Sequence, residues 1–173
     1  ENIRVPTAGI GSNYVRSAAV SPKALHDWLH DHRIEGACNH ESRAHMASDL
    51  HRYMFASSAL ASAEADQSRD TSVQVEALRL RHFPQGLLPN HKNVAGQNDI
   101  SAVSFADRFR VQRANAPAST IVSHIRKDGH YYIHYDPEQC RSLTVREAAR
   151  LQTFPDNFFF EGPRGAGFQQ IGN

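Results

Sequence analysis

Residues 141–156, RSLTVREAARLQTFPD, constrain this chain more than any other stretch. Thr144 followed three positions later by Glu147 is a capping box. The hydroxyl accepts from the Glu147 amide, and the carboxylate reaches back to the Thr144 amide. Leu143 ahead of the cap and Ala148 inside the helix stand at the spacing of a hydrophobic staple. Ala148, Ala149, Leu151 and Gln152 favour helix, and Pro155 ends it. A helix of about three turns is marginal alone, so it must lie against something. Arg146 and Arg150 share a face one turn apart, while Ala148 and Leu151 offer a small, closely packing face.

The same stretch resembles the ninth sequence motif of the DNA cytosine-5 methyltransferases, close to R-x-L-T-x-R-E-x-A-R-L-Q-x-F-P-D. Arg141, Leu143, Thr144, Arg146, Glu147, Ala149, Arg150, Leu151, Gln152, Phe154, Pro155 and Asp156 carry the match. Farther on, Gln170, Ile171, Gly172 and Asn173 are similar to the start of the tenth motif, Q-x-G-N-A-V-P, at the family's spacing. An ordinary capped surface helix accounts for Thr144, Glu147 and Pro155. It leaves Arg141, Gln152, Asp156 and the closing Gly-Asn unexplained.

The bulk properties agree without adding much. At 173 residues the chain has the size of one domain, or of a small domain with appendages. Its net charge is only +1, but the charge is uneven. Residues 1–78 carry 7 Lys/Arg against 10 Asp/Glu, and residues 79–173 carry 12 against 8. The basic bias falls in the half that holds the motif. Arginine outnumbers lysine 16 to 3, which suits bidentate contact with phosphates and base edges, although a solvated face explains it as readily. Cys38 and Cys140 form no spaced framework, which fits a reducing compartment. No apolar run has the length of a membrane span, and the start has no signal-peptide pattern. The chain does not begin with Met and stops within a motif, so a fragment is expected.

Along the chain, Gly9-Ile10-Gly11 reads as a turn and not as a nucleotide loop. Ser21-Pro22 starts a helix that presents Leu25, Trp28 and Leu29 on one face through about Arg33, with Gly36 as its stop. His26, His30, His32, Cys38 and His40 fit no zinc spacing and read as ordinary polar-face residues. A second helix is expected over 47–63, burying Leu50, Tyr53, Met54 and Leu60. Residues 65–71 read as a polar connector, 73–80 as a short helix, 83–90 as a proline-broken loop and 93–101 as a mobile segment. Residues 108–112 alternate like a half-buried strand. Residues 120–125 and 130–134 read as paired strands joined by an Asp128-Gly129 hairpin turn.

Several expectations come from the resemblance. The fold class is α+β: a small target-recognition domain with N-terminal helices, a twisted antiparallel hairpin sheet and a C-terminal capped helix, lacking the Rossmann-like catalytic domain. The division is an N-terminal segment at 1–37, the recognition domain at 38–140, and the ninth motif with a truncated tenth at 141–173. Residues 117–122, PASTIV, are similar to the P-x-x-T-I/V element of such segments, which makes Thr120 the candidate phosphate contact. A hydroxyl there positions the backbone and does not specify sequence, and a β-branched residue filling a strand explains Thr120 equally well. Arg108, Arg110, Arg113, Arg126, Lys127 and His130 flank the predicted strands and are candidates for phosphate or guanine contact. For each alone, a solvent-facing charge is the plainer reading. Arg141, Thr144, Arg146, Glu147, Arg150 and Gln152 belong to the ninth-motif scaffold. Gly172 and Asn173 belong to the motif lining the S-adenosylmethionine pocket of the intact enzyme.

These enzymes add a thiolate to a cytosine flipped from the duplex. The family supplies it from a Pro-Cys dipeptide, whereas Cys38 follows Ala37 and Cys140 follows Gln139. No catalytic residue and no metal ligand is therefore assigned, no cofactor is expected for this stretch alone, and it is expected to be inactive by itself. Expected partners are duplex DNA and an N-terminal catalytic domain, in the bacterial cytoplasm on the nucleoid. The alternatives are a stand-alone DNA-binding or pseudo-enzyme module and one half of a split methyltransferase.

Overall fold

The structure, a computed structural model, describes residues 23–31, 33, 37–65, 80–91, 94 and 107–173. The chain forms two compact units, each discontinuous in sequence. The first takes Glu1–Arg43, Thr120–Asp128 and Leu143–Asn173; the second takes Ala44–Ser119 and Gly129–Ser142. The described residues include the helices α1 (Lys23–Leu29), α2 (Ala47–Ala65), α3 (Val145–Leu151) and α4 (Arg164–Gly172), with 3-10 turns at Leu80–His82, Gln85–Leu87 and Ser123–Arg126.

In the first unit, α3 begins as its sequence dictates. Thr144 Oγ1 accepts from the Glu147 amide, and the Thr144 amide donates to Glu147 Oε2 at 2.8 Å. Leu143 and Ala148 are both buried. The helix is shorter than expected. It stops at Leu151, and Thr153 takes a left-handed φ of 63°, so the chain turns away before Pro155. Ala148 and Ala149 are fully buried while Leu151 is exposed, so the packing face runs through the two alanines.

Arg146 is 1% exposed and ties this unit together. Its guanidinium donates to the carbonyls of Cys38 and Pro155 at 2.9 Å and of Phe158 at 2.5 Å. Burial pulls its pKa down, and the nearby Asp156 carboxylate opposes that shift. Arg150 holds Asp156 in a two-pronged ion pair at 2.7 and 2.8 Å. Asn39 adopts a φ of 60°, which asparagine tolerates, and bonds the Phe160 backbone through both ends of its amide. In α1, Leu25 and Trp28 are exposed, Trp28 by 62%. The predicted apolar face is thus not buried, and the indole N–H instead donates to the Thr153 carbonyl at 2.8 Å.

The second unit packs α2 over a core of Tyr53, Ala56, Leu80, Phe83, Val94, Phe109 and Ile133. The helix lies where the sequence puts it, but the buried face is different. Tyr53 and Leu60 are inside as expected, whereas Leu50 is 36% and Met54 53% exposed. Asp49, Arg52, Ala56 and Ser57 take the inner positions instead. Arg52 is satisfied there by Asp49 at 2.7 Å and by the Leu87 carbonyl at 2.6 Å, so a polar pair lies where apolar counting looks for leucine.

The expected α+β class is overturned. The described residues contain no β-strand of a sheet, only isolated bridges: Val111 with Ile133, parallel, and Ile133 with Ser142, antiparallel. The hairpin predicted over 120–135 is absent, and Ser123–Arg126 forms a 3-10 turn. The cause lies in the spacing. Ile121 is 3% and Ile125 0% exposed while Ser123 between them faces out, a pattern of helical turns and not of alternation. Gly129 does not serve a two-residue hairpin either. A Cβ there would lie 2.1 Å from Ser142 Cβ, so the glycine admits a close approach of two chain segments.

The expectations for Gly9-Ile10-Gly11, for the helix start at Ser21-Pro22 and its stop at Gly36, for His32, and for nearly all of 66–79 and 92–106 lie outside the described residues. Among the described residues no group of His, Cys, Asp and Glu could hold a metal, and no helix is long and apolar enough to cross a membrane.

Candidate nucleic-acid interface

The candidate contact residues divide between the two units. Thr120, Arg126 and Lys127 belong to the first, in the same unit as α3 and α4; Arg108, Arg110, Arg113 and His130 belong to the second.

In the first unit, segment 120–127 is anchored from inside by Ile121 and Ile125 and presents Thr120, Ser123, Arg126 and Lys127 to solvent. Its backbone is held at separate points. Gln152, at the end of α3, donates to the Ile121 carbonyl at 3.0 Å. Arg43 donates to the Ile125 carbonyl at 2.7 Å, with its guanidinium 4.4 Å above the Phe168 ring of α4. Arg126 donates to Gln169 Oε1, also on α4, at 2.9 Å. Gly172 lies so close that a Cβ would fall 2.2 Å from the Ser123 amide nitrogen. Sequence reasoning missed Arg43 and Gln169, because neither falls in a recognised motif and no spacing links them to residue 125 or 126.

In the second unit Arg110, Arg113 and His130 are already engaged. Arg110 pairs with Asp107 and lies 5.4 Å over the Tyr131 ring. Arg113 donates to Glu64 at 2.8 Å. His130 is half-buried, with Nδ1 2.9 Å from the Tyr53 hydroxyl and its ring against Phe109. Arg108 is half-buried, and its Nε has no hydrogen-bond partner among the described residues.

The ninth-motif residues bond to other parts of their own chain. Arg141 is buried and donates to Gln139 Oε1 and the Ser142 carbonyl. Thr144 is fully buried and also lies 2.9 Å from His40 Nδ1. Cys38 gives its carbonyl to Arg146. The Cys140 thiol donates to the Pro137 carbonyl, and burial together with the Asp136 carboxylate pushes its pKa up, away from the thiolate form. Of the tenth-motif pair, Asn173 is exposed at the end of α4, and Gly172 is occupied by its approach to Ser123.

Against this geometry stand the comparisons with known proteins. No solved structure matches the chain. The type II methyltransferase M.Bpa9945I of Bacillus paralicheniformis is 44% identical over 115 residues, which cover 61% of this chain and 24% of that protein. The type II methyltransferase M.AgeI of Thalassovita gelatinovora is 40% identical over 74 residues, 43% of this chain and 17% of that one. The DNA (cytosine-5-)-methyltransferase M.ApeKI of Aeropyrum pernix is 37% identical over 95 residues, 54% of this chain and 19% of that one. The matched region thus spans about a quarter or less of the length of each. The family model for C-5 cytosine-specific DNA methylase matches residues 26–173. That model describes the methylase itself, which corrects the expectation of a separate recognition domain standing apart from the catalytic fold. With all but the first 25 residues inside the match and both motifs carried on packed helices, the chain belongs to the C-5 cytosine-specific DNA methylase family.

Proposed function

We propose that this chain binds and orients duplex DNA within a DNA cytosine-5 methyltransferase of the restriction-modification type. The intact enzyme would transfer a methyl group from S-adenosylmethionine to C5 of a cytosine flipped from the duplex. The observation that carries the reading is segment 120–127, fastened to α3 through Gln152 and to α4 through Arg126 itself, with Thr120, Lys127 and the Gln169-bound Arg126 all exposed. A hydroxyl and two cations on a firmly held turn suit contact with a phosphate backbone, which fixes register and leaves base reading to other groups. Arg108, Arg110, Arg113 and His130 are the second group of candidate contacts; Arg110 and Arg113 would have to exchange their present carboxylate partners for phosphate.

Among the described residues, the tenth-motif pair does not build a methyl-donor site by itself. Gly172 is filled against Ser123, and one outward asparagine at position 173 is no cradle for an adenosine. The donor's chemistry is therefore assigned to the remainder of a complete methylase, with Asn173 as the candidate contact from this stretch.

The test is duplex binding by the chain across a salt series, with and without an added N-terminal methylase half. Phosphate contacts make log K fall steeply with log salt, and replacing Arg126 with Gln should flatten that slope by about one. Salt-insensitive binding, or none at low salt, would refute the DNA-orienting role. Methyl transfer by the chain alone would refute the division of labour.

A further inference from the structure

Among the described residues, segment 120–126 has no regular hydrogen-bonded partner strand, and it forms no long helix of its own. Left to itself, such a short exposed turn samples many conformations. Here its position is set by groups outside it, and two of them lie in the two family motifs. Gln152 reaches from the C-terminal end of α3 to the Ile121 carbonyl, one residue after Thr120. Gly172, in the last turn of α4, faces the backbone around Ser123. A Cβ there would stand 2.2 Å from Ser123 N, 2.4 Å from Ser123 Cα and 2.5 Å from Val122 C. These neighbours are main-chain atoms and cannot swing aside as a side chain does, so any larger residue must displace the segment.

We infer that Gln152 and Gly172 are positioning residues, which set where Thr120 and Arg126 meet the DNA backbone without touching DNA themselves. Gln152 fixes the height of the segment with one hydrogen bond. Gly172 fixes how close it lies to α4, and Arg126 depends on that distance because its guanidinium is held by Gln169 of the same helix. The inference rests on the proposal that segment 120–127 contacts duplex DNA.

The experiment measures duplex affinity of the full chain for Gln152→Met, Gly172→Ala and Thr120→Val, alone and in pairs. Gln152→Met keeps the length of the side chain and removes the donor. Thr120→Val keeps the shape and removes the hydroxyl, and should weaken binding about tenfold, the worth of one hydrogen bond to a charged acceptor. Gln152→Met should lose a similar factor, yet cost little more when Thr120 is already Val. A purely structural role predicts losses that multiply. Amide hydrogen exchange should quicken across 121–126 in Gln152→Met and Gly172→Ala while staying unchanged in α2. Multiplying losses, or unchanged exchange in the segment, overturn the positioning role. If Thr120→Val has no effect but Gln152→Met still frees the segment and weakens binding through Arg126, Thr120 is not the contact and the positioning role stands. Absence of duplex binding by the unaltered chain overturns both readings.

Discussion

Replacing Arg146 with Met tests whether one buried cation holds three pieces of chain together. The guanidinium donates to the carbonyls of Cys38, Pro155 and Phe158. A hydrogen bond to a charged group contributes about 1.5–3 kcal/mol, so three of them bound the gross effect at roughly 4.5–9 kcal/mol. Against this, a buried guanidinium carries a desolvation cost of several kcal/mol, which methionine does not. The net loss should then fall near 3–5 kcal/mol, as when one partner is removed from a buried charged cluster. That is a large part of the roughly 5–15 kcal/mol that holds a domain folded. Arg146→Lys keeps the charge but not the planar fork, and should lose at least one bond, about 1.5–3 kcal/mol. At roughly 2–4 °C per kcal/mol for a chain of this size, its melting point should drop by about 3–12 °C. The assay is urea unfolding followed by fluorescence of Trp28, the only tryptophan, which bonds the Thr153 carbonyl in the same unit. A Met variant within about 1 kcal/mol of the parent would show that the three carbonyls find other donors, and would refute the reasoning.

Gly129→Ala should destabilise by more than about 2 kcal/mol, because its Cβ would overlap Ser142 Cβ and Oγ, and Ser142→Gly in the same chain should recover part of the loss in thermal melts. Thr144→Ala should cost about 1–2 kcal/mol in urea titration, since Thr144 caps α3 and also meets His40; Thr144→Ser should restore most of it. Asp136 has its pKa held below the ordinary 3.8, first by the Gln139 amide and also by the Glu138 N–H, with burial opposing. A depressed carboxylate stabilises the fold at neutral pH and loses that contribution as pH falls below 3.8 and through the folded value. Asp136→Asn should therefore show a flatter acid limb in stability against pH than the parent, and an unchanged limb would remove Asp136 from the account.

What could be read from the sequence was whatever local chemistry decides. The Thr144–Glu147 box is a contact between residues three apart, and it forms as expected. Helix α2 was placed correctly because its length and composition favour helix whatever it packs on. Its inner face was missed because apolar counting ranked Leu50 and Met54 above Asp49 and Arg52, and only the distant Leu87 carbonyl makes a buried arginine tolerable. The expected hairpin failed for a related reason. Valine and isoleucine around residue 121 suggest a strand, but the burial of Ile121 with Ile125 follows a helical step set by packing within the first unit. The motif residues were found by resemblance, whereas the pairing of Gln152 with Ile121 joins positions 31 apart and leaves no mark in either local stretch.

The interleaving of the two units along the sequence has a practical consequence for anyone exchanging parts between members of the family. Cutting out 44–142 as one block would carry away Ile121 and Ile125, which belong to the core that stays behind. A chimera that respects the packing needs four junctions, at 43/44, 119/120, 128/129 and 142/143, with the short stretch between the middle two left from the recipient. A swap made on this basis would arrive as two inserts around a retained island.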